Sequence, residues 1–222
     1  MINVYFISGM CVNCRVFDRI QLPAGYQKNY IEWYVPSMNE SLEEYTRNMA
    51  KGIDTSKPFI LIGYSLGAIV MQEMNRFLHP EQNIVLSSMK SEEEIPALFR
   101  LAKKSHLISI LPKALFKTNK TITNLFSRIV YDMTPEEIER YITYTQPAYM
   151  KWATLQITNW KPTIQCENLY HIHGRKDQIF PCQKIKNVEI LEGADHLMVL
   201  RRTEEINKTL ANLLSLPIPE HN

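Results

Sequence analysis

The chain contains few cysteines, carries little net charge and lacks a long apolar run. Four cysteines among 222 residues are too few for a disulfide scaffold, and a formal charge of +2 is too small to indicate a nucleic-acid partner. No run of about 20 apolar residues indicates a membrane span, and no basic segment precedes the first apolar run as it would in a signal peptide. We therefore expect a globular cytoplasmic protein.

Short apolar runs alternate with helical patterns along most of the sequence. Strands are predicted at residues 4–7, 30–35, 59–62, 83–86, 169–173 and 188–191. Helices are predicted at residues 66–78 and 197–214, and another between Ser37, which forms an N-cap pattern with Glu40, and Gly52. This alternation predicts the α/β fold class, with a mostly parallel sheet of about six strands flanked by helices.

Residues 88–160 interrupt this alternation, because they contain helical segments and no convincing strand. One of these helices is predicted to begin at Thr134-Pro135-Glu136-Glu137, which is a strong N-cap pattern. We interpret the segment as a helical cap inserted into a single domain of residues 1–222. Such a cap would cover the carboxyl edge of the sheet, where open α/β sheets bind their ligands.

The first part of this cap is both basic and apolar. Residues 95–131 contain no acidic side chain. Their basic side chains are spread among Leu, Ile and Phe: Arg100, Lys103, Lys104, Lys113, Lys117, Lys120 and Arg128. We interpret this part as a lid whose apolar face covers the site while its lysines stay solvated. Contact with a membrane surface is the alternative.

A serine flanked by two glycines lies where a predicted strand meets a predicted helix, in Gly63-Tyr64-Ser65-Leu66-Gly67. A serine on so tight a turn needs small residues two positions to either side, because larger side chains would collide with the strand and the helix. The turn would hold the Ser65 hydroxyl above the helix N-terminus and direct the Leu66 amide at a developing oxyanion. A plain glycine-rich turn in which Ser65 only caps the helix is the alternative.

A nucleophilic serine needs a base, and the base needs an acid to orient it. Asp177 follows the strand predicted at 169–173, and His196 follows the strand predicted at 188–191. The order Ser65, Asp177, His196 is the one expected for a serine nucleophile on a parallel α/β sheet. Asp177 alone would be interpreted as an ordinary loop aspartate. Three acids after an earlier strand are alternative partners for the base: Glu92, Glu93 and Glu94.

These motifs together make the chain resemble α/β-hydrolases over nearly its whole length. The glycine-flanked serine matches the nucleophile turn, His173-Gly174-x-x-Asp177-x-x-x-Pro181 matches the acid loop, and Gly193-Ala194-Asp195-His196 matches the histidine loop. The chain is most similar to small capped hydrolases that act as esterases, thioesterases or acyl-transfer enzymes. The resemblance implies that Ser65 is the nucleophile, His196 the general base and Asp177 its orienting partner, and that neither a cofactor nor a metal is required.

The sequence departs from that family pattern at its beginning. The family usually starts with an antiparallel hairpin, whereas this chain starts at the strand before the oxyanion loop, so we expect about six strands rather than eight. Many relatives have His-Gly after that strand, where this chain has Ser8-Gly9-Met10. We expect the Met10 amide to be the second oxyanion donor beside Leu66, because a backbone donor survives a change of side chain.

The expected function is hydrolysis of a carboxylic ester or thioester with a small to medium acyl group. The reaction would use a Ser-His-Asp triad and an acyl-enzyme intermediate. A lyase or an acyltransferase on the same fold is the nearest alternative, because a fold does not determine a reaction. A ligand-binding protein that has the same fold but no turnover is an alternative of a different class.

Two further residue pairs have spacings that suggest chemistry. Cys11 and Cys14 have the spacing of redox and metal sites, but no second ligand pair accompanies them. We predict two ordinary thiols and no metal site, with a regulatory disulfide as the alternative. His171 and His173 lie on one predicted strand, and we expect them to face opposite sides of the sheet and not to share a site.

Overall fold

A computed structural model describes residues 1–105, 110–116, 132–162 and 165–215. These residues form one six-stranded sheet in the order β2-β1-β3-β4-β5-β6, and every pairing of neighbouring strands is parallel. The strands are β1 (Ile2–Ile7), β2 (Tyr26–Ile31), β3 (Phe59–Tyr64), β4 (Gln82–Leu86), β5 (Leu169–Gly174) and β6 (Glu189–Leu191). The predicted α/β class and the parallel sheet of about six strands are confirmed.

The sheet separates two apolar clusters because side chains alternate between its faces. On β1, for example, Val4 and Phe6 belong to one cluster, and Tyr5 and Ile7 to the other. All residues of β3 are buried, as expected for a central strand covered on both sides. The α-helices that the structure describes are α1 (Leu42–Ala50), α2 (Leu66–Met74), α3 (Ala97–Ser105), α4 (Pro135–Tyr141), α5 (Pro147–Asn159), α6 (Met198–Arg201) and α7 (Thr203–Leu214).

The second strand lies four residues earlier than predicted. β2 pairs with β1 residue for residue, from Ile2 with Tyr26 to Ile7 with Ile31, and the chain leaves the sheet where β1 ends. The next residues turn inward, because the indole nitrogen of Trp33 donates hydrogen bonds to Ser8 Oγ (2.9 Å) and to the Gly9 carbonyl (3.0 Å). Trp33, from the run that suggested a strand at 30–35, therefore packs on the loop after β1.

Two similar capping patterns compete before α1, and the second one begins the helix. Ser41 and Glu44 form the capping box of α1. The predicted pair, Ser37 and Glu40, closes a turn instead, because a Glu40 carboxylate oxygen accepts the Ser37 amide at 2.7 Å. Other helix boundaries shift as well: α2 ends at Met74 rather than at 78, and the predicted C-terminal helix is divided into α6 and α7.

The described residues between β4 and β5 form helices and contribute no strand to the sheet. Thr134 and Glu137 form the predicted capping box at the start of α4. Arg100, Lys103 and Lys104 lie on α3, whereas Lys117, Lys120 and Arg128 lie outside the described residues. The interpretation of residues 88–160 as a cap stays a prediction. Among the helices that the structure describes, none has the length and apolar character needed to cross a membrane.

Candidate active site

Ser65 occupies a sharp turn between β3 and α2. Its backbone has φ 54° and ψ −119°, a conformation that L-residues rarely adopt and that stores strain. The end of β4 and the loop after it hold the turn, because the Ser65 amide donates to the Leu86 carbonyl (3.0 Å) and Ser88 Oγ donates to the Ser65 carbonyl (2.8 Å). The Ser65 side chain makes no capping hydrogen bond to α2. The alternative in which Ser65 only caps the helix is therefore wrong.

The two glycines of the motif are required by close backbone contacts. A Cβ atom on Gly63 would lie closer than 3.0 Å to backbone atoms of Gly67 and Ala68. A Cβ atom on Gly67 would lie closer than 3.0 Å to the carbonyl oxygens of Ile7 and Ser8. Backbone atoms cannot move aside as a flexible side chain can, so only glycine fits at either position.

The three side chains predicted to act together form one hydrogen-bonded row. His196 Nε2 lies 3.1 Å from Ser65 Oγ, and His196 Nδ1 lies 2.8 Å from Asp177 Oδ2. All three residues are at least nine-tenths buried. The row has the order hydroxyl, imidazole, carboxylate, in which the imidazole can accept the serine proton while the carboxylate stabilises the charge that develops on the ring.

The Asp177 carboxylate is held from both sides. Its Oδ1 accepts the backbone amides of Ile179 and Phe180, each at 2.9 Å, and its Oδ2 faces His196. Burial alone would raise the pKa of Asp177, but the adjacent imidazole of His196 and these hydrogen bonds hold that pKa below its usual value. The carboxylate is therefore ionised at neutral pH and fixed in direction.

Tyr64 contributes to the site although sequence analysis did not single it out. Its hydroxyl donates to the backbone carbonyl of His196 at 3.0 Å, and the two rings lie 5.4 Å apart. Asp195, the residue before the histidine, accepts the amide of Leu197 and so shapes the entry into α6. No sequence signal could have identified Tyr64, because its partner is 132 residues away.

The predicted oxyanion residues belong to two segments that lie next to the serine. Leu66 is the first residue of α2, and the loop that contains Met10 follows β1, the strand next to β3. A Cβ atom on Gly9 would lie 3.3 Å from Ser65 Cβ, so this loop passes directly beside the serine. The assignment of the Met10 and Leu66 amides as oxyanion donors stays a prediction.

The acid that is hydrogen-bonded to His196 is Asp177, and the alternatives Glu92, Glu93 and Glu94 lie in another segment. They form a 3-10 turn after β4, where Glu94 is buried and lies 3.2 Å from Lys90 Nζ. The expectation for the two histidines of β5 is wrong: residues two apart on a strand face the same side, and His171 Nε2 lies 3.2 Å from His173 Nδ1.

Cys11 and Cys14 are buried free thiols. Burial raises the pKa of each to about 12, and a negatively charged Glu32 adds to the effect at Cys14. Cys11 Sγ lies 3.0 Å from Met150 Sδ. Both cysteines are therefore protonated at neutral pH, which disfavours thiolate chemistry. Among the residues that the structure describes, no group of three or more His, Cys, Asp or Glu side chains is arranged to hold a metal ion.

The chain matches a protein-family model described as the alpha/beta hydrolase family. The match covers residues 32–209, and these include Ser65, Asp177 and His196. No curated protein matches the chain significantly.

Solved structures of the same fold include two described by their activity. An esterase from Thermogutta terrifontis is 14% identical, with 97% of this chain and 90% of that chain covered and a TM-score of 0.61. A lipase-esterase related protein from Clostridium acetobutylicum is 14% identical, with 95% and 93% covered and a TM-score of 0.62. MenH from S. aureus is 16% identical, with 96% and 93% covered and a TM-score of 0.64. At such identities the likeness establishes the fold alone.

Proposed function

The chain belongs to the alpha/beta hydrolase family, and from this premise we propose that it is a serine hydrolase. Its substrate is a carboxylic ester or thioester with a small to medium acyl group, and the reaction passes through an acyl-enzyme on Ser65. The single observation that carries the proposal is the row from Ser65 Oγ through His196 to Asp177, with heavy-atom distances of 3.1 and 2.8 Å.

Acylation follows from the protonation states along this row. Asp177 can only accept from His196, so a neutral imidazole carries its proton on Nδ1 and accepts the Ser65 hydroxyl at Nε2. As Ser65 Oγ attacks the substrate carbonyl, His196 Nε2 takes the hydroxyl proton and later gives it to the leaving alcohol or thiol. Water then attacks the acyl-enzyme with His196 again as the base, and the acid is released.

The oxyanion of each tetrahedral intermediate is assigned to the amides of Leu66 and Met10. Leu66 begins a helix of nine residues, so its amide belongs to the positive end of the helix dipole. The approach of the Gly9 loop to Ser65 supports the assignment of Met10. Backbone donors held before the reaction need no reorganisation when charge develops, which is the source of their catalytic effect.

We further propose that the helices between β4 and β5 cover the site. Two contacts support this cap. Phe99 on α3 packs edge-to-face on Phe180, at 5.8 Å between ring centroids, and Phe180 lies 5.7 Å from the His196 ring. The Tyr149 hydroxyl on α5 accepts the amide of Cys11, next to Met10, at 3.3 Å. Apolar groups above the imidazole favour an apolar acyl chain.

The experiment that tests this function is labelling with a fluorophosphonate probe, read by mass spectrometry of the labelled peptide. One adduct on Ser65 is expected, and Ser65→Ala should lose both the adduct and the turnover of p-nitrophenyl esters. Ser56→Ala is the matched control, because Ser56 is exposed and precedes β3 at the opposite edge of the sheet. Labelling elsewhere, or full turnover by Ser65→Ala, would refute the proposal.

The reaction type is tested separately from the nucleophile. A panel of p-nitrophenyl esters and acyl-thioesters of graded chain length defines the preferred acyl group. Reaction in ¹⁸O-water should place one labelled oxygen in the released acid. Labelling of Ser65 without such incorporation would favour a lyase or an acyltransferase, and ligand binding without labelling would favour a protein that only binds.

A further inference from the structure

A second row of buried polar groups lies behind Asp177. It begins at Lys90, in the loop after β4, and runs through His171 and His173 on β5 to the carbonyl of Phe180. The three distances are 3.1 Å from Lys90 Nζ to His171 Nδ1, 3.2 Å between the rings and 2.7 Å from His173 Nε2 to the carbonyl oxygen. Both imidazoles are almost completely buried. None of these groups takes part in the proposed reaction.

Hydrogen-bond chemistry allows only one arrangement of protons for neutral rings in this row. An ammonium group can only donate, so His171 accepts at Nδ1 and carries its proton on Nε2, which donates to His173 Nδ1. A carbonyl oxygen can only accept, so His173 carries its proton on Nε2. Lys90 at one end and the Phe180 carbonyl at the other are therefore both compatible with Nε2–H tautomers of the two rings. Each of the three hydrogen bonds then has one donor and one acceptor.

Lys90 is itself held in place. Its Nζ donates to His171 Nδ1 and to the Lys186 carbonyl, and it lies 3.2 Å from Glu94 Oε1. Each of its three N–H groups therefore has an acceptor. Glu94 also accepts the backbone amides of Lys90 (2.7 Å) and Lys186 (3.3 Å). The row is therefore anchored in the loop after β4 and at Lys186, farther along the connection from β5 to β6.

The other end of the row reaches the acid loop at two points. His173 Nε2 is bonded to the carbonyl of Phe180, whose amide holds Asp177 Oδ1. The same nitrogen lies 3.5 Å from Asp177 Oδ2, the oxygen that accepts His196 Nδ1. Two imidazoles thus approach one carboxylate oxygen, His196 from the serine side and His173 from behind.

We propose that His173 is a positioning residue for Asp177, and that His171 and Lys90 fix the tautomer in which it acts. His173 holds the turn from Asp177 to Phe180 so that Oδ2 stays directed at His196. This inference deepens the proposed function and rests on it for the role of the row in turnover.

Burial supports neutral rings in this row. It lowers the pKa of His173, although Asp177 and the Phe180 carbonyl oppose that effect. Burial also lowers the pKa of His171 well below its ordinary value, and the positive charge of Lys90 adds to the effect. Neutral rings keep the tautomers that the row requires.

The first test compares substitutions of His173. His173→Phe removes the donor, and we expect kcat to fall about 10- to 100-fold with KM changed less than about twofold, because a misplaced catalytic group slows chemistry without weakening binding. His173→Gln can place an amide N–H near the position of Nε2 and should recover most of the loss, whereas the shorter His173→Asn should not. His79→Phe, at an exposed histidine, is the control.

The second test needs no turnover. In ¹⁵N-histidine NMR of the resting protein, His171 and His173 should both appear as Nε2–H tautomers, and the downfield Nδ1 proton of His196 should weaken or disappear in His173→Asn but persist in His173→Gln. Equal kcat and an unchanged His196 proton in folded His173→Phe would overturn the proposal. If His173→Phe does not fold, the same kcat and the same His196 Nδ1 signal in His173→Asn and His173→Gln would overturn the proposal. Failure of the proposed function would instead appear as absent labelling of Ser65 in the parent protein.

Discussion

Helices α2 and α3 both contain nine residues, yet every residue of α2 is buried and none of α3 is. Even the polar residues of α2 are enclosed and satisfied: Gln72 donates to the carbonyl of Met89, and Glu73 accepts the indole of Trp160 at 2.8 Å. On α3, by contrast, Leu98 and Leu101 are 71% and 65% exposed.

The two helices next to the site therefore differ in how strongly packing constrains them. The helix that follows Ser65 is enclosed by the core, so packing determines the direction of the serine. The helix that contacts the acid loop through Phe99 is mostly solvated, so few contacts constrain its sequence. Substitutions in the two helices should therefore differ sharply in their effect on the free energy of unfolding.

Gly67→Ala should cause the greatest loss. Alanine normally favours a helix over glycine by about 1 kcal/mol, but here its Cβ would overlap the carbonyl oxygens of Ile7 and Ser8. We expect a loss of about 3 kcal/mol or more in the free energy of unfolding, measured by urea denaturation. Gly52→Ala is the control, because its Cβ would meet nothing closer than 3.7 Å. Equal stability of the two variants would contradict the packing described for α2.

Ile69→Ala, also on α2, should cost about 2–5 kcal/mol, because Ile69 is completely buried and its truncation leaves a cavity. The urea midpoint should fall while the slope of unfolding free energy against urea stays the same. A change below about 1 kcal/mol would mean that α2 packs less tightly than its burial indicates.

Acid should destabilise the buried part of the molecule through His171 and His173. Their pKa values are lowered from an ordinary 6.5 in the folded protein, so below that pH the unfolded chain binds more protons than the folded one. Stability is then complete above about pH 6.5 and falls as the pH decreases below it. Urea midpoints between pH 8 and pH 5 measure this, and His171→Phe should reduce the slope. A midpoint independent of pH would exclude buried neutral histidines.

Leu101→Ala on α3 should change the free energy of unfolding by no more than about 0.5 kcal/mol, because the side chain is mostly exposed and alanine is a good helix former. Urea denaturation beside Ile69→Ala gives a direct comparison. A loss above about 1.5 kcal/mol would show that this leucine packs against something in the folded protein.

Sequence analysis predicted those parts of the candidate site that depend on short local motifs. The turn at Ser65 was predictable because glycine at positions 63 and 67 is a local requirement, and both glycines do meet backbone atoms. Asp177 and His196 were predictable because each follows a strand, and the carboxyl ends of parallel strands meet at one edge. In the structure, His196 lies within hydrogen-bond distance of both Asp177 and Ser65.

The features that were missed depend on contacts between distant parts of the chain. Ser37 and Ser41 have the same local pattern, and only packing decides which begins α1. The hydroxyl that donates to the His196 carbonyl belongs to Tyr64, which is 132 positions away. The row from Lys90 to Phe180 joins the loop after β4 and the connection from β5 to β6 through β5, so no single segment could reveal it. For the two histidines of β5, the sequence was sufficient: residues two apart on a strand face the same side, and the expectation had placed them on opposite sides.

At Gly67, helix α2 packs directly against the carbonyl oxygens of Ile7 and Ser8. Main-chain atoms thus set the spacing between the turn at Ser65 and the loop after β1, and main-chain atoms are common to all amino acids. Changes of side chain on the exposed helix α3 should therefore leave the spacing between Ser65 and the loop after β1 unaltered.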